Sequence, residues 1–307
     1  MRSGLSAGTK SRYSPGRGCK NAGVTARTLV VFHAHPDDEA LLSAGTLARA
    51  ASEGHRVVLV LATSGDAGLV GDHVLGTAED LGGRRTAEAR ASADALGVAR
   101  LVLLGYGDSG SDRPDDADGW PDGSFRAAPV DEAAERLTAV LREEGADLLV
   151  ADDVHGGYGH PDHLHVHRVA AAAASTTSVP FLQATIDREF LSGGIELARG
   201  MGLEVPHGFV PPDLSSWYTP HDEITHVVDA ATVLAAKRAS MAAHASQTTG
   251  ADDTVRTLAV FLGLPEEIFA LAFSTEWFVL TPTSAPATGP TPDELFPDLF
   301  CTVPTAP

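Results

Sequence analysis

The sequence predicts an α/β fold: a Rossmann-like, doubly wound and mostly parallel sheet with helices on both faces. Apolar runs of strand length, such as Thr28–Phe32 and Arg56–Leu61, alternate along the chain with stretches of helix length. Such near-continuous apolar strands are typical of a parallel sheet that is covered on both faces. Segments rich in histidine and aspartate follow two of these runs, where folds of this class bind their ligands. A smaller, irregular α/β part is expected toward the C-terminus.

The individual elements follow from the same alternation in chain order. Each apolar run is interpreted as a strand, and each stretch with an apolar face of period 3.6 as a helix, two of which end at Gly54 and Gly97. The predicted strands are 28–33, 56–61, 101–104, 147–151, 181–186 and 224–228. The predicted helices are approximately 39–53, 81–96, 131–144, 163–174 and 231–245. The Gly/Pro-rich span 193–220 is predicted to be a long loop with short pieces of structure, a class of loop that often serves a function.

The chain is predicted to contain one domain between two disordered tails. Residues 28–280 are expected to form a single α/β domain. Residues 1–27 contain six basic residues and no acidic one, without the hydrophobic stretch of a secretory signal. They are interpreted as a disordered leader or as residues added by a start codon assigned too far upstream. Residues 281–307 are rich in Pro, Thr and Ala and are predicted to be mostly disordered.

Composition narrows the classes of function. A hydrophobic content of 43% and a mean hydropathy near zero indicate an ordinary globular protein. The net charge of −19 argues against a nucleic-acid partner, because phosphate binding needs a basic surface. No apolar run approaches the roughly 20 residues that span a bilayer. The only cysteines, Cys19 and Cys301, lie in the two tails, so no disulfide framework is expected and the reducing cytoplasm is the predicted compartment. The oligomeric state is left open.

Two short cassettes carry the chemistry, His35-Pro36-Asp37-Asp38-Glu39 and His160-Pro161-Asp162-His163. Imidazole and carboxylate are the usual ligands of a borderline divalent cation, and three protein ligands leave one position for water. The alternative for the first cassette is a charged helix N-terminus, which accounts for the acids but neither for His35 nor for the second cassette. We therefore expect one hydrolytic metal site assembled from both cassettes. The nearby His165 and His167 are expected to be solvated or to lie outside the ligand shell.

These motifs resemble the LmbE-like (PIG-L) deacetylase family. Within the family the chain is most similar to the actinobacterial branch that removes acetate from an N-acetylglucosaminyl-inositol in mycothiol biosynthesis, over about residues 28–280. The resemblance implies metal-dependent hydrolysis of the acetamide of an N-acetylglucosamine-containing small molecule, with release of acetate and the free amino sugar. The matching segments are Ala34–Glu39, Thr46–Arg49, Gly156–His163 and His244–Gln247.

Position by position, the resemblance implies His35, Asp38 and His163 as ligands of one Zn²⁺, for which Fe²⁺ or Co²⁺ can substitute. The residues themselves leave open which of His160 and His163 binds the metal, and that choice depends on the family pattern. The remaining roles are also implied by the family. Asp37 would be the general base, and Tyr158 would contact the scissile carbonyl. His160 would be a protonated imidazole that stabilises the oxyanion or protonates the leaving amine. The Asp162 carboxylate would orient His160 and tune its pKa through its charge.

The family pattern also implies substrate-binding residues. Arg85 matches a position expected to contact the sugar or its inositol, and the alternative is an exposed helix arginine paired with Glu88. Asp108 matches a position that holds sugar hydroxyls, and the alternative is a turn-forming aspartate. Residues 65–68 are expected to line the same crevice. For His244 and Gln247 a structural role is expected.

The sequence is also compatible with several other functions. The related branch that cleaves mycothiol S-conjugates carries a lysine where this chain has Leu42, and tends to have proline where it has Gly159. Both differences favour the sugar deacetylase. The segment 111–129, dense in Asp, Gly and Pro, could adapt the pocket to another N-acetylglucosaminide such as an antibiotic intermediate. A non-haem Fe(II) oxygenase also uses two histidines and a carboxylate, but the α/β pattern argues against it. A non-catalytic sugar-binding protein is the last alternative.

Overall fold

The structure is a computed structural model that describes residues 25–68, 80–110, 114–115, 119–200, 214–248, 257–281 and 289–303. The predicted leader therefore lies outside the described residues, except for its last three positions. Among the described residues, no helix is both long enough and apolar enough to cross a membrane.

An eight-stranded sheet forms the centre of the protein. Its spatial order is β3-β2-β1-β4-β5-β7-β6-β8, in which the first five strands are parallel and the other three pair antiparallel. The predicted fold class, a mostly parallel sheet with a less regular C-terminal part, is confirmed. The strands are β1 (Thr28–His33), β2 (Arg56–Thr63), β3 (Arg100–Tyr106), β4 (Leu148–Asp152), β5 (Phe181–Thr185), β6 (His226–Asp229), β7 (Thr275–Leu280) and β8 (Cys301–Thr302).

Helices cover both faces of this sheet. Alternate residues of β1 point to opposite faces, so Leu29 and Val31 belong to one apolar cluster while Val30 and Phe32 belong to the other, and all four are fully buried. Two 3₁₀ turns precede β6 and α7, at His221–Glu223 and Ala231–Val233. The described helices are α1 (Asp38–Leu42), α2 (Ala44–Ser52), α3 (Leu81–Leu96), α4 (Val130–Glu144), α5 (Pro161–Thr177), α6 (Arg188–Gly200), α7 (Leu234–Ala243), α8 (Ala245–Thr248), α9 (Thr257–Leu262), α10 (Glu266–Phe273) and α11 (Pro292–Leu295).

The predicted helix 39–53 is divided in two at Ser43, whose backbone is not helical. The first N–H groups of α2 have their own acceptor, because the buried Glu276 carboxylate accepts from the backbone of Gly45 and Thr46 at 2.7 and 2.8 Å. Lys237 in turn donates to Glu276 at 2.6 Å. Because these partners come from β7 and α7, the break is a consequence of tertiary packing, which the local pattern does not contain.

Two irregular regions contain more regular structure than the sequence indicates. The span 193–220 is predicted to be a long loop with short pieces of structure; its first part belongs to α6 (Arg188–Gly200), and residues 201–213 lie outside the described residues. The tail 281–307 was expected to be mostly disordered, but within 289–303 it forms α11 and β8, and β8 pairs with β6. Four apolar side chains of this tail are buried in the core, which offsets the entropy of ordering it: Leu295, Phe296, Leu299 and Phe300.

Candidate metal centre and active site

The two cassettes meet at one edge of the sheet. His35 lies just after β1, and His160 and His163 lie at the start of α5, which follows β4. Because β1 and β4 are parallel neighbours, their carboxyl ends are adjacent. The ring centroids of His35 and His160 are 4.8 Å apart, those of His35 and His163 are 5.3 Å apart, and those of His160 and His163 are 5.2 Å apart. The structure therefore brings the predicted site together.

The predicted ligands His35, Asp38 and His163 lie close together, and the two histidines face different oxygens of Asp38. His35 Nδ1 lies 3.5 Å from Asp38 Oδ2, and His163 Nε2 lies 3.4 Å from Asp38 Oδ1. These distances exceed those of good hydrogen bonds. They match the separation of about 3.3–3.6 Å between donor atoms that share a tetrahedral ion with bonds of about 2.0–2.2 Å. His163 Nε2 is also buried without a hydrogen-bond partner among the described residues, as expected for an atom reserved for a cation.

The groups whose ligand atoms all lie close enough to hold an ion share members with the predicted triad but do not coincide with it. Among the described residues, His35, His160 and His163 offer ligand atoms within 4.8 Å of one another. The same is true of His35 with Asp108 and Asp162, and of Asp38 with Asp152 and His163. Because His35 and His163 each occur in two of these three groups, the structure supports a His/Asp metal site centred on them.

In both His35 and His163, the ring nitrogen that faces away from Asp38 lies next to a second carboxylate. His163 Nδ1 lies 2.8 Å from Asp152 Oδ2, and His35 Nε2 lies 3.1 Å from Asp162 Oδ2. A metal-binding histidine usually donates its second ring N–H to a carboxylate in this way, which fixes the ring and its tautomer. Burial alone would lower the pKa of His163, but the charges of Asp38 and Asp152 raise it to about 9. This outer pair of carboxylates favours His35 and His163 as the two nitrogen ligands.

The Asp162 carboxylate contacts His35 and not His160, although its charge still acts to raise the pKa of His160. Asp162 Oδ2 accepts from His35 and from the backbone N–H of Ser109 at 3.0 Å. Only the backbone N–H of Asp162 contacts His160, donating to its Nδ1 at 3.1 Å. Burial, followed by the charges of His35 and His163, lowers the pKa of His160 to about 3. The carboxylate is turned away because Asp162 lies in the first turn of α5, facing β1.

Asp37 stands beside the candidate metal site in a strained backbone conformation. Its φ of 106° lies in the left-handed region, which is unusual for a non-glycine residue and is found mainly where the surroundings hold it. Its N–H donates to Glu39 Oε2 at 3.0 Å, and its carboxylate lies 3.1 Å from Arg85 Nη2. Burial raises the pKa of Asp37, and the Arg85 charge partly offsets this effect.

Arg85 is buried behind Asp37 and braces the first cassette. Its guanidinium donates to the carbonyl oxygens of Pro36 and Gly65 at 2.5 and 2.9 Å. The alternative pairing with Glu88 is not found, because Glu88 accepts from Arg84 instead. A Cβ at Gly65 would lie 2.3 Å from Arg85 Nη1, so the glycine is needed for this close approach. The contacts of Arg85 are all to the protein, and its predicted contact to substrate stays a prediction.

Glu39 belongs to the first cassette, but the sequence assigned it no role. Its Oε1 accepts from His244 Nε2 and from the Ser92 hydroxyl, both at 2.6 Å, while its Oε2 accepts from the backbone N–H of Asp37. His244 is fully buried in this network, which agrees with its expected structural role. The partners of Glu39 come from α3 and from the residue that follows α7, so no local sequence pattern indicated them.

Of the two alternatives for the histidines after the second cassette, the structure agrees with a position outside the ligand shell. His165 is 1% exposed, not solvated, and its ring meets Phe125 edge-on with centroids 4.7 Å apart. Burial is the main cause that lowers the pKa of His165 to about 4. His167 is half-buried, and its Nδ1 lies 3.2 Å from the backbone carbonyl oxygen of Asp152. Neither residue contacts the candidate ligands directly.

The remaining predicted residues line the opening of the site. Asp108 Oδ1 lies 3.5 Å from His35 Nε2 and also accepts from the N–H of Gly110 at 2.9 Å, so this aspartate forms the alternative turn as well. Tyr158 is 47% exposed, and its ring centroid lies 5.8 Å from that of His163. Trp217, which the sequence did not indicate, lies 5.8 Å from Tyr158, ring centroid to ring centroid.

Comparisons with known proteins identify the family of this chain. The family model described as PIG-L, GlcNAc-PI de-N-acetylase, matches residues 30–174. A Saccharopolyspora erythraea protein named 1D-myo-inositol 2-acetamido-2-deoxy-alpha-D-glucopyranoside deacetylase 1 is 38% identical over 71% of this chain and 77% of its own length. A Nocardioides protein named as the same deacetylase is 34% identical over 82% of this chain and 91% of its own length.

A solved structure shows the same fold. It is the N,N'-diacetylchitobiose deacetylase of Pyrococcus horikoshii, with a TM-score of 0.52 and 23% identity over 86% of this chain and 88% of that chain. At this identity the likeness supports the architecture alone. The predicted family is confirmed: with relatives 34–38% identical over more than two thirds of its length, this chain belongs to the PIG-L family of deacetylases.

Proposed function

We propose that this protein hydrolyses the acetamide of an N-acetylglucosamine-containing glycoside, with N-acetylglucosaminyl-inositol as the preferred candidate, using one bound Zn²⁺. The observation that carries the proposal is the proximity of His35 Nδ1, Asp38 and His163 Nε2 to one another, beside the carboxylate of Asp37 that Arg85 holds in place. The names of the relatives support the choice of substrate.

The cation would be held by His35, Asp38 and His163. When bound, it supplies a Lewis acid that polarises the amide carbonyl and lowers the pKa of water toward neutrality. Asp38 suits the role of anionic ligand, because the charges of His163 and His35 outweigh its burial and hold its pKa well below the ordinary value. Asp152 and Asp162 lie against the opposite nitrogen of each imidazole ring and would keep the two rings turned toward the cation.

Asp37 is the proposed general base. Its side chain is 22% exposed at the mouth of the site, so a water molecule can reach it, while Arg85 and Glu39 fix its position. Asp37 takes a proton from the attacking water, and the same carboxyl group can then return that proton to the nitrogen of the leaving amine as the C–N bond breaks. The proton count is balanced without a second acid.

His160 is the proposed hydrogen-bond donor to the developing oxyanion. Because its Nδ1 accepts the N–H of Asp162, a protonated ring would place two donors against each other at 3.1 Å. The neutral ring avoids this conflict and carries its proton on Nε2, where it can be donated to the substrate oxygen. The role of a charged imidazolium, which the family resemblance suggested, is therefore replaced by a neutral donor. Tyr158 adds a second group at the same opening.

Two residues argue against a conjugate amidase of the related branch. Leu42 is 8% exposed and belongs to the main apolar cluster, so a lysine there would have to bury its charge. Gly159 has a φ of +91°, which proline cannot adopt because its ring fixes φ near −65°. The loop before His160 therefore has a backbone that is incompatible with the proline of that branch.

A panel of substrates tests the proposal. The purified, Zn²⁺-loaded protein is incubated with N-acetylglucosaminyl-inositol, N,N'-diacetylchitobiose, free N-acetylglucosamine and a mycothiol S-conjugate, and both acetate and free amine are measured. We expect the highest kcat/KM for the inositol glycoside and a stoichiometric release of both products. Failure of every acetamide substrate would refute the deacetylase. Faster cleavage of the S-conjugate would establish the amidase instead.

A further inference from the structure

A buried chain of polar contacts continues inward from the candidate ligand His163. His163 Nδ1 lies 2.8 Å from Asp152 Oδ2 as an ion pair, while Asp152 Oδ1 and His33 Nδ1 are hydrogen-bonded at 2.5 Å and His33 Nε2 and Ser43 Oγ at 2.8 Å. The four residues are 0–3% exposed. Asp152 Oδ2 makes no hydrogen bond of good geometry among the described residues, so its contact with His163 is one of charge and proximity, whereas the other carboxylate oxygen is fixed by His33.

The chain has one consistent direction for its protons. An ionised carboxylate only accepts, so His33 presents an N–H to Asp152 through Nδ1. The negative charge of Asp152, 2.8 Å from His163 Nδ1, favours a proton on that nitrogen of His163 as well. His33 in its neutral form then has a free acceptor at Nε2, which the Ser43 hydroxyl can satisfy as a donor. His163 in its neutral form is left with an unprotonated Nε2. This atom is the buried one that lacks a partner among the described residues, and it faces Asp38.

The same residues lie at structural junctions. His33 ends β1 and Asp152 ends the neighbouring strand β4, while Ser43 lies at the break between α1 and α2. These contacts therefore connect His163 on α5 to the two central strands β1 and β4 and to the junction between α1 and α2. His33 and Asp152 are both buried between these elements and touch neither solvent nor the mouth of the site.

We propose that His33 and Asp152 are positioning residues that fix the ring orientation and tautomer of His163, so that its Nε2 is available to the metal. Ser43 completes the device by fixing the tautomer of His33. The inference rests on the metal site of the proposed function, and it extends that site by residues that belong to neither cassette. Outer hydrogen-bond partners of this kind typically change metal affinity by about 10–100-fold when they are removed.

Metal affinity, measured without substrate, tests the inference. Metal-free protein is titrated with Zn²⁺ against a chromophoric chelator, and with Co²⁺ while its visible absorption is recorded. We expect Asp152→Asn to raise the Kd for Zn²⁺ by about 10–100-fold and to change the Co²⁺ spectrum. Asp153→Asn is the matched control, because Asp153 is equally buried but its carboxylate accepts from the loop N–H groups of His155 and Gly157 instead. Its Kd should stay at the wild-type value.

Variants of His33 separate positioning from simple loss of structure. The amide nitrogen of His33→Asn can still donate to Asp152, so this variant should retain metal affinity within a few-fold, whereas His33→Leu cannot donate and should weaken it. Thermal unfolding of each metal-free variant shows whether it is folded. Wild-type affinity in both Asp152→Asn and His33→Leu would overturn the inference while leaving the proposed function intact. If the wild-type protein itself bound no metal, both proposals would fail together.

Discussion

Substitution of Gly65 by alanine tests whether Arg85 braces the active site. Gly65 has a φ of +68°, and an added Cβ would lie 2.3 Å from Arg85 Nη1 and 2.5 Å from its Cζ. The guanidinium is the flexible end of its side chain and can move away. The substitution should therefore cost stability through lost contacts and not through a permanent steric clash. Arg85 would lose its hydrogen bonds to Pro36 and Gly65 and its contact with Asp37.

Two contributions set the magnitude. An L-residue in the left-handed region costs about 1–2 kcal/mol. A buried donor group that loses its partners costs a further ~1–3 kcal/mol. Gly65→Ala should thus lower the free energy of unfolding by about 2–5 kcal/mol, and the displaced Arg85 should lower kcat because Asp37 loses its cationic neighbour.

Gly145→Ala is the matched control. Gly145 also has a left-handed backbone, with a φ of +60° after α4, but an added Cβ would meet nothing within 4 Å. It should lose only about 1–2 kcal/mol and keep full activity. Urea denaturation gives both free energies, and deacetylation kinetics give kcat. If Gly65→Ala were no less stable and no less active than Gly145→Ala, the bracing role of Arg85 would be refuted.

Three further outcomes follow from the site and the core. Asp37→Asn should still bind Zn²⁺, measured by metal analysis, but lose kcat by about 10²–10⁴-fold, and near wild-type turnover would move the general base elsewhere. Removal of the metal with a chelator should abolish deacetylation, and Zn²⁺ or Co²⁺ should restore it; activity that survived dialysis to metal-free protein would contradict the metal site. Lys237→Met should lower the free energy of unfolding by about 3 kcal/mol in urea without changing kcat, because it breaks the buried pair with Glu276; an unchanged midpoint would show that the pair is dispensable.

Local patterns predicted the parallel part of the fold because each strand and helix is encoded over a few neighbouring residues. The helix over residues 81–96 has the predicted bounds, since it ends at a glycine with left-handed backbone. The division of the first predicted helix, 39–53, at Ser43 and the packing of Phe296 and Phe300 could not be predicted in this way. Both depend on residues of β6 and β7 that lie far away in the sequence.

The sequence by itself determined the fold class, the two cassettes and their meeting point, because the carboxyl ends of neighbouring parallel strands share one edge of a sheet. Only the tertiary structure decided which group each side chain contacts. It turned the Asp162 carboxylate to His35 instead of His160, placed Arg85 behind Asp37, and joined Glu39 to His244 across more than 200 positions. The physical reason is that the spacing of residues within a cassette fixes only the backbone position from which each side chain extends. The hydrogen-bond partner of that side chain is a group from another helix or strand that the fold places within about 3 Å.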